Sequence, residues 1–115
     1  MHNISELKIW QKSIELTKQV YLLVAHLPSD EQYGLSSQIK RSAISIPSNI
    51  AEGGGRNSNK EFKYFLSIAN GSTYELQTQL ILLIELKLLK EENVKPIIEL
   101  CVEIQKMNYS FQQKL

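Results

Sequence analysis

Five cations in the middle of the chain, Lys40, Arg41, Arg56, Lys60 and Lys63, come closest by type and spacing to a chemical purpose. Between Gln32 and Tyr74 they are opposed only by Glu52 and Glu61, a local net charge of +3, while the rest of the chain carries −2. Arginine and lysine grouped in this way bind phosphate backbones through contacts that weaken with salt. Arg41, Ser45, Ser48 and Glu52 recur at steps of four and three, opposite Ile39 and Ile46 on one helix. Arg41 therefore projects outward, toward phosphate, a neighbouring subunit or water. Gly53-Gly54-Gly55-Arg56 leads into a helix start whose first amides can hold a phosphate, with Arg56 and Lys60 adding charge. The run lacks the G-x-x-x-x-G-K-S/T arrangement of a nucleotide loop, and helix termination explains its glycines without a ligand.

Other chemistries are less well supplied. The candidate metal ligands His2, His26, Cys101 and Asp30 have no ligand-like spacing, so neither a metal site nor another cofactor is expected. The same scarcity counts against Ser-His-Asp or Cys-His nucleophilic machinery, and the chain is expected not to be an enzyme. His26 reads as a surface or capping residue beside the apolar end of the first helix. Glu91 and Glu92 read as helix-start charges, and Glu75 and Glu85 as solvated or interface positions on a long helix. Cys101 is the only cysteine, which excludes an internal disulfide and fits a small buried hydrophobe in a reducing compartment.

Four helices must position these residues. Leu7, Trp10, Ile14, Thr17, Tyr21 and Val24 recur at alternating three and four, one stripe of a first helix that Pro28 ends. Pro28 to Gly34 reads as a polar turn. The second helix buries Leu35, Ile39, Ala43, Ile46 and Ile50 and closes on the three glycines, which enter the left-handed conformation of a C-cap cheaply. Pro47 either kinks this helix or divides it in two at Ile46, since proline inside a helix costs about 3 kcal/mol but at a first helical position costs nothing. Ser58 and Glu61 have the form of a capping box. The long third helix that follows carries Phe62, Leu66, Ala69, Thr73, Leu76, Leu80 and Leu83 at heptad-like spacing, with Gly71 its weak link. From Leu80 to Leu89 apolar side chains surround the helix nearly completely, which predicts a subunit contact through Ile81, Leu82, Ile84 and Leu88. The last helix repeats the spacing with Val94, Ile97, Cys101, Ile104, Asn108, Phe111 and Leu115. Asn108 could fix register, but a partly exposed place near the chain end is the expectation.

No strand pattern, repeat or low-complexity tract competes, and short connections favour an up-down-up-down bundle. At 115 residues one all-α domain, 1–115, is expected. A 43% apolar and 22% charged composition excludes disordered and disulfide-dense classes, and the overall charge of +1 rules out a strongly basic arm. Glu6, Lys8, Lys12, Glu15 and Lys18 interrupt the first apolar residues, so no targeting segment is read and a cytoplasmic location is expected. Glu85 and Lys87 break the greasiest run, which is far below the ~20 residues of a membrane span.

The chain also carries a distinctive set of motifs. These are Leu7-x-x-Trp10-Gln11-Lys12-Ser13, Leu27-Pro28, Tyr33-Gly34-Leu35, Gln38-Ile39-Lys40-Arg41-Ser42-Ala43 and Ser45-Ile46-Pro47-x-Asn49-Ile50-Ala51-Glu52-Gly53, followed by Gly55-Arg56 and Ile68-Ala69-x-Gly71-Ser72-x-x-Glu75-Leu76. Together they resemble the four-helix-bundle proteins encoded in 23S rRNA intervening sequences, over about three quarters of the chain. The superfamily takes in the accessory variability determinant protein of diversity-generating retroelements, which is similar in fold and works beside a reverse transcriptase. The resemblance implies a bacterial protein, a left-handed bundle and a homopentameric ring around a pore, with no catalytic activity established for the intervening-sequence branch. It matches Lys40 and Arg41 to the family's basic pair and Arg56 to its glycine-arginine ending. Lys at the first of these positions, where Arg is usual, gives up a planar bidentate contact. Asn49, Glu52, Ser72 and Glu75 also match family positions. The expected function is a non-enzymatic homo-oligomeric adaptor that contacts RNA or DNA through Lys40, Arg41, Arg56 and Lys60. The alternative is a structural or protein-binding oligomer in which Arg41 and Arg56 pair with Glu52 or Glu75 across subunits. Expected partners are other copies of the chain, RNA or DNA, and a protein partner, with no membrane.

Overall fold

The computed structural model describes residues 2–31 and 34–115. Its helices are α1 (Lys8–Val24), α2 (Leu35–Gly54), α3 (Asn59–Glu85) and α4 (Glu91–Gln113), with short 3-10 turns at Ile4–Glu6 and Ser29–Glu31. There is no strand among the described residues. The turn expected from Pro28 to Gly34 includes Gln32 and Tyr33, which lie outside the described residues. Each helix packs on the next one in the chain, and α1 closes the square against α4. The result is a four-helix bundle of 43 × 23 × 20 Å.

All seven residues of the predicted α3 stripe are buried, as are Val94, Ile97, Cys101, Ile104 and Asn108 on α4 and Ile39, Ala43, Ile46 and Ile50 on α2. Full burial of each large aliphatic or Phe62 contributes roughly 1.5–3 kcal/mol. The face of α1 is rotated from the expected one. Ile9, Ser13, Leu16, Val20 and Leu23 point inward with Val24, while Trp10 is half-buried and Tyr21 exposed. Two stripes at helical spacing lie side by side on α1. The aliphatic one takes the centre, and the amphipathic Trp10 and Tyr21 are left toward the surface.

Pro47 does not divide α2, which runs unbroken from Leu35 to Gly54. Proline removes the amide that would bond the carbonyl of Ala43. The Thr17 hydroxyl of α1 takes its place, donating to Ala43 O at 3.2 Å while also reaching Ser13 O at 2.8 Å. The proline is thus answered across the α1–α2 contact.

The glycines do not act as left-handed caps, because no glycine has positive φ and Gly53 and Gly54 are both helical. Their role is volume. A Cβ on Gly53 would lie 2.6 Å from Phe65 Cβ and 2.9 Å from Phe62 Cδ1, and one on Gly54 would collide with Ile4. The left-handed residue is instead Lys87, with φ of 58°. Lys87 N donates to Ile84 O and Leu88 N to Leu83 O, at 2.9 Å each, the two bonds of a Schellman ending. This stops α3 at Glu85, so Leu88 and Leu89 leave the helix on which they were expected and pack half-buried against the core. Asn108 is also corrected: it is buried, donating through Nδ2 to Leu66 O at 2.9 Å and accepting from Gln112 at 2.6 Å.

Candidate nucleic-acid interface

Helix α2 ends where Gly55 N and Arg56 N donate back to Ala51 O and Gly53 O, and α3 begins four residues later. Ser58 caps α3. Its hydroxyl oxygen accepts from Glu61 N at 3.2 Å and its proton goes to the Glu61 carboxylate at 3.0 Å, so the predicted cap is present. This short, stiff turn presents Arg56, Lys60 and Lys63 to solvent.

Arg56 is held without being buried. Nη2 donates to Glu52 Oε1 at 3.2 Å, and the guanidinium lies 4.9 Å from the centre of the Phe65 ring. Tyr64 meets Phe65 edge to face at 5.2 Å and is 63% exposed. Cation, half-buried ring and exposed ring therefore stand side by side. An exposed tyrosine beside cations gives a flat surface on which an unpaired base can stack, worth about 1–3 kcal/mol per base.

The end of α4 lies against the start of α3, as the Asn108 bond to Leu66 and the 5.4 Å approach of Phe62 to Phe111 fix. Exposed Lys106, Tyr109 and Lys114 thereby join the same end of the bundle. Sequence reading missed all three, together with Tyr64. The antiparallel order of α3 and α4 was the available signal, since it sets 106–114 beside 60–66. Of the acids here, Glu52 is paired with Arg56, Glu61 is engaged by Ser58, and exposed Glu6 sits near Lys8 at the start of α1.

The four residues expected to contact nucleic acid are not brought together. Arg56 and Lys60 share this end. Arg41 lies fifteen residues back along α2, roughly 22 Å away at the helical rise, in a cleft with Gln38, Ser42, Ser45, Glu75 and Gln79. Lys40 turns the other way, its ammonium 5.0 Å above the Tyr21 ring of α1. The expected ion pair of Arg56 with Glu52 is made inside one chain, one turn apart on the helix.

The residues chosen for a subunit contact are also divided. Ile84 and Leu88 are half-buried against the chain's own core, while Ile81 and Leu82 are about two-fifths exposed on different flanks of α3. His26 lies at the far end from Arg56, in an open cavity of about 950 Å³ lined by Leu22, Leu23, Leu89 and Ile97 among others. Burial pushes the Cys101 thiol up to about 12, which keeps it protonated and unreactive. Among the described residues no helix is long and apolar enough to cross a membrane.

A family model described as 23S rRNA-intervening sequence protein matches residues 5–110. The chain belongs to this family. Among solved structures it is similar to a protein of unknown function from the S23 ribosomal protein family of Bacteroides thetaiotaomicron, with 30% identity and a TM-score of 0.84. That likeness covers 90% of this chain and 97% of the other. No curated protein matches the sequence. The basic residues singled out by resemblance lie in separate places here: Arg56 at the exposed end of the bundle, and the Lys40-Arg41 pair astride α2 with one residue on each side.

Proposed function

We propose that this member of the 23S rRNA-intervening sequence protein family is a non-enzymatic homo-oligomeric adaptor, with a pentamer the expected assembly. It contacts single-stranded RNA or DNA through the basic end of the bundle. Arg56, Lys60 and Lys63 supply backbone contacts, and Tyr64 and Tyr109 offer rings to unstacked bases. The observation that carries this reading is the convergence of exposed cations and exposed tyrosines from α3 and α4 on one end, where Glu52 is paired with Arg56 and Glu61 is bonded by Ser58. The family's printed association with an rRNA intervening sequence points to the same kind of partner. Lys40, over the Tyr21 ring, and Arg41, in the cleft between α2 and α3, lie away from this surface.

The test is a titration of fluorescent single-stranded RNA and DNA over a salt series. Affinity should fall along a straight line in log salt, with a slope of about −0.7 per phosphate contact. Arg56→Glu with Lys60→Glu should lower affinity at least tenfold and flatten the slope. Binding that is absent at low salt, or that ignores both substitutions, would refute the reading.

A further inference from the structure

Gln77 of α3 and Gln105 of α4 bond at 2.6 Å on the flank where the two helices meet. From Gln77, steps of three and four run back through Tyr74, Asn70, Ser67 and Lys63, and beside Gln105 the outer row of α4 is Lys106, Tyr109 and Gln113. Asn70 is half-buried and the others in these two rows, Gln77 and Gln105 aside, are exposed. None of them belongs to the buried core stripes of α3 and α4.

Three features of this flank have no use inside the chain. Lys63 and Lys106 form no ion pair among the described residues. Asn70 Oδ1 is buried without a donor. Gly71, four residues from Ser67 and three from Tyr74, lies on the edge of the same flank, and a Cβ there would meet nothing within 4 Å. A glycine inside a helix loosens it, and here no neighbour in the chain requires the missing side chain. The gap leaves the backbone of α3 bare beside the Tyr74 ring, where a ligand can approach closely.

Charge and spacing select the occupant. No acid stands on the flank between Lys63 and Gln77 or between Val102 and Gln113. Glu75 turns to the α2 side, into the cleft with Arg41, and Glu103 turns to α1, where it meets Lys12 at 3.4 Å. Glu99, one turn beyond Val102, is the first acid along the outer row of α4 and bounds the flank. The Asn108 bond to Leu66 sets Tyr109 level with the start of α3, roughly 12 Å along the bundle from Tyr74 at the helical rise. These two rings are 70% and 54% exposed. Exposed rings at intervals among unpaired lysines suit a single strand, whose bases stack while its phosphates meet the cations. Lys63 joins the flank to the basic end. We infer that a single strand of RNA or DNA runs from the basic end along the α3–α4 flank, stacking bases on Tyr109 and Tyr74 beside Gly71 and setting phosphates against Lys63 and Lys106. The inference rests on the nucleic-acid half of the proposed function and adds the path of the strand beyond the end of the bundle.

Titration of fluorescent single-stranded RNA into variants of the full chain tests it, with mass by light scattering and melting temperature measured on the same samples. Tyr74→Ala should lower affinity about fivefold or more and leave the salt slope as it was, because it removes a ring and no cation. Lys106→Gln should flatten the slope by about 0.7. Gly71→Ala should raise the melting temperature yet lower affinity about threefold or more, an opposition that a purely structural glycine would not give. All three should keep the wild-type mass. Wild-type affinity in either Tyr74→Ala or Gly71→Ala, with Arg56→Glu plus Lys60→Glu still weakening binding, would overturn the path along the flank alone. A changed mass in either variant would show that the flank seats another copy of the chain, and would overturn it too. A wild-type chain that binds no RNA at low salt would overturn the path and the nucleic-acid half of the function together.

Discussion

At the α2–α3 end of the bundle, two helical glycines let Phe62, Phe65 and Ile4 close in, Ser58 caps the next helix, and Arg56 is gripped by Glu52 and Phe65. At the α3–α4 end, a lysine takes the left-handed conformation that glycine would adopt more easily, and the chain opens onto a cavity of about 950 Å³. Both ends display cations. Lys87 and Lys90 stand among Glu85, Glu91 and Glu92, whereas Arg56, Lys60, Lys63, Lys106 and Lys114 outnumber their acids. The difference teaches that one end is organised to hold charge outward on a rigid frame, and the other is an ordinary helix ending with local strain and no surplus charge.

The comparison breaks most visibly at Gly53. Gly53→Ala forces a methyl group against Phe65 Cβ, an atom fixed to the backbone, and should cost about 2–3 kcal/mol in urea unfolding. Gly54→Ala should cost less, because the far end of the Ile4 side chain can swing away. Between the two ends, Thr17→Val keeps the shape but leaves the Ala43 carbonyl opposite Pro47 without its donor, and should cost about 1–2 kcal/mol. At the other end the sign reverses. Lys87→Gly relieves the left-handed backbone and should raise stability by roughly 0.5–1 kcal/mol. If instead Gly53→Ala were neutral and Lys87→Gly destabilising, the contrast between the ends would be wrong.

The bundle was legible because apolar spacing of three and four persists over α3 and α4, where one stripe dominates. It was less legible on α1, where two stripes compete and only packing between α2 and α4 chooses Ile9 and Leu16 over Trp10 and Tyr21. Gly53 and Gly54 misled because composition marks a need for glycine without saying whether the need is conformation or volume. Lys87 left no trace at all, since nothing in the residue type announces a left-handed backbone. Arg56 and Lys60 were found from local charge. Tyr64 and Tyr109 were not, because their pairing exists only once α3 and α4 lie antiparallel. Arg41 resembles Arg56 as a letter, and only the fold separates them by roughly 22 Å along α2.

The most direct test sets the two ends against each other in one experiment. Single-stranded RNA is titrated over a salt series into wild type, into Arg56→Glu with Lys60→Glu, and into Lys87→Glu with Lys90→Glu, with mass followed by light scattering. The α2–α3 pair of changes should lower affinity at least tenfold and flatten the salt slope by about 0.7 per lost phosphate contact, without changing mass. The α3–α4 pair should leave binding as it was. Equal losses from both pairs, or a loss confined to the α3–α4 end, would contradict the assignment of the nucleic-acid surface to the α2–α3 end.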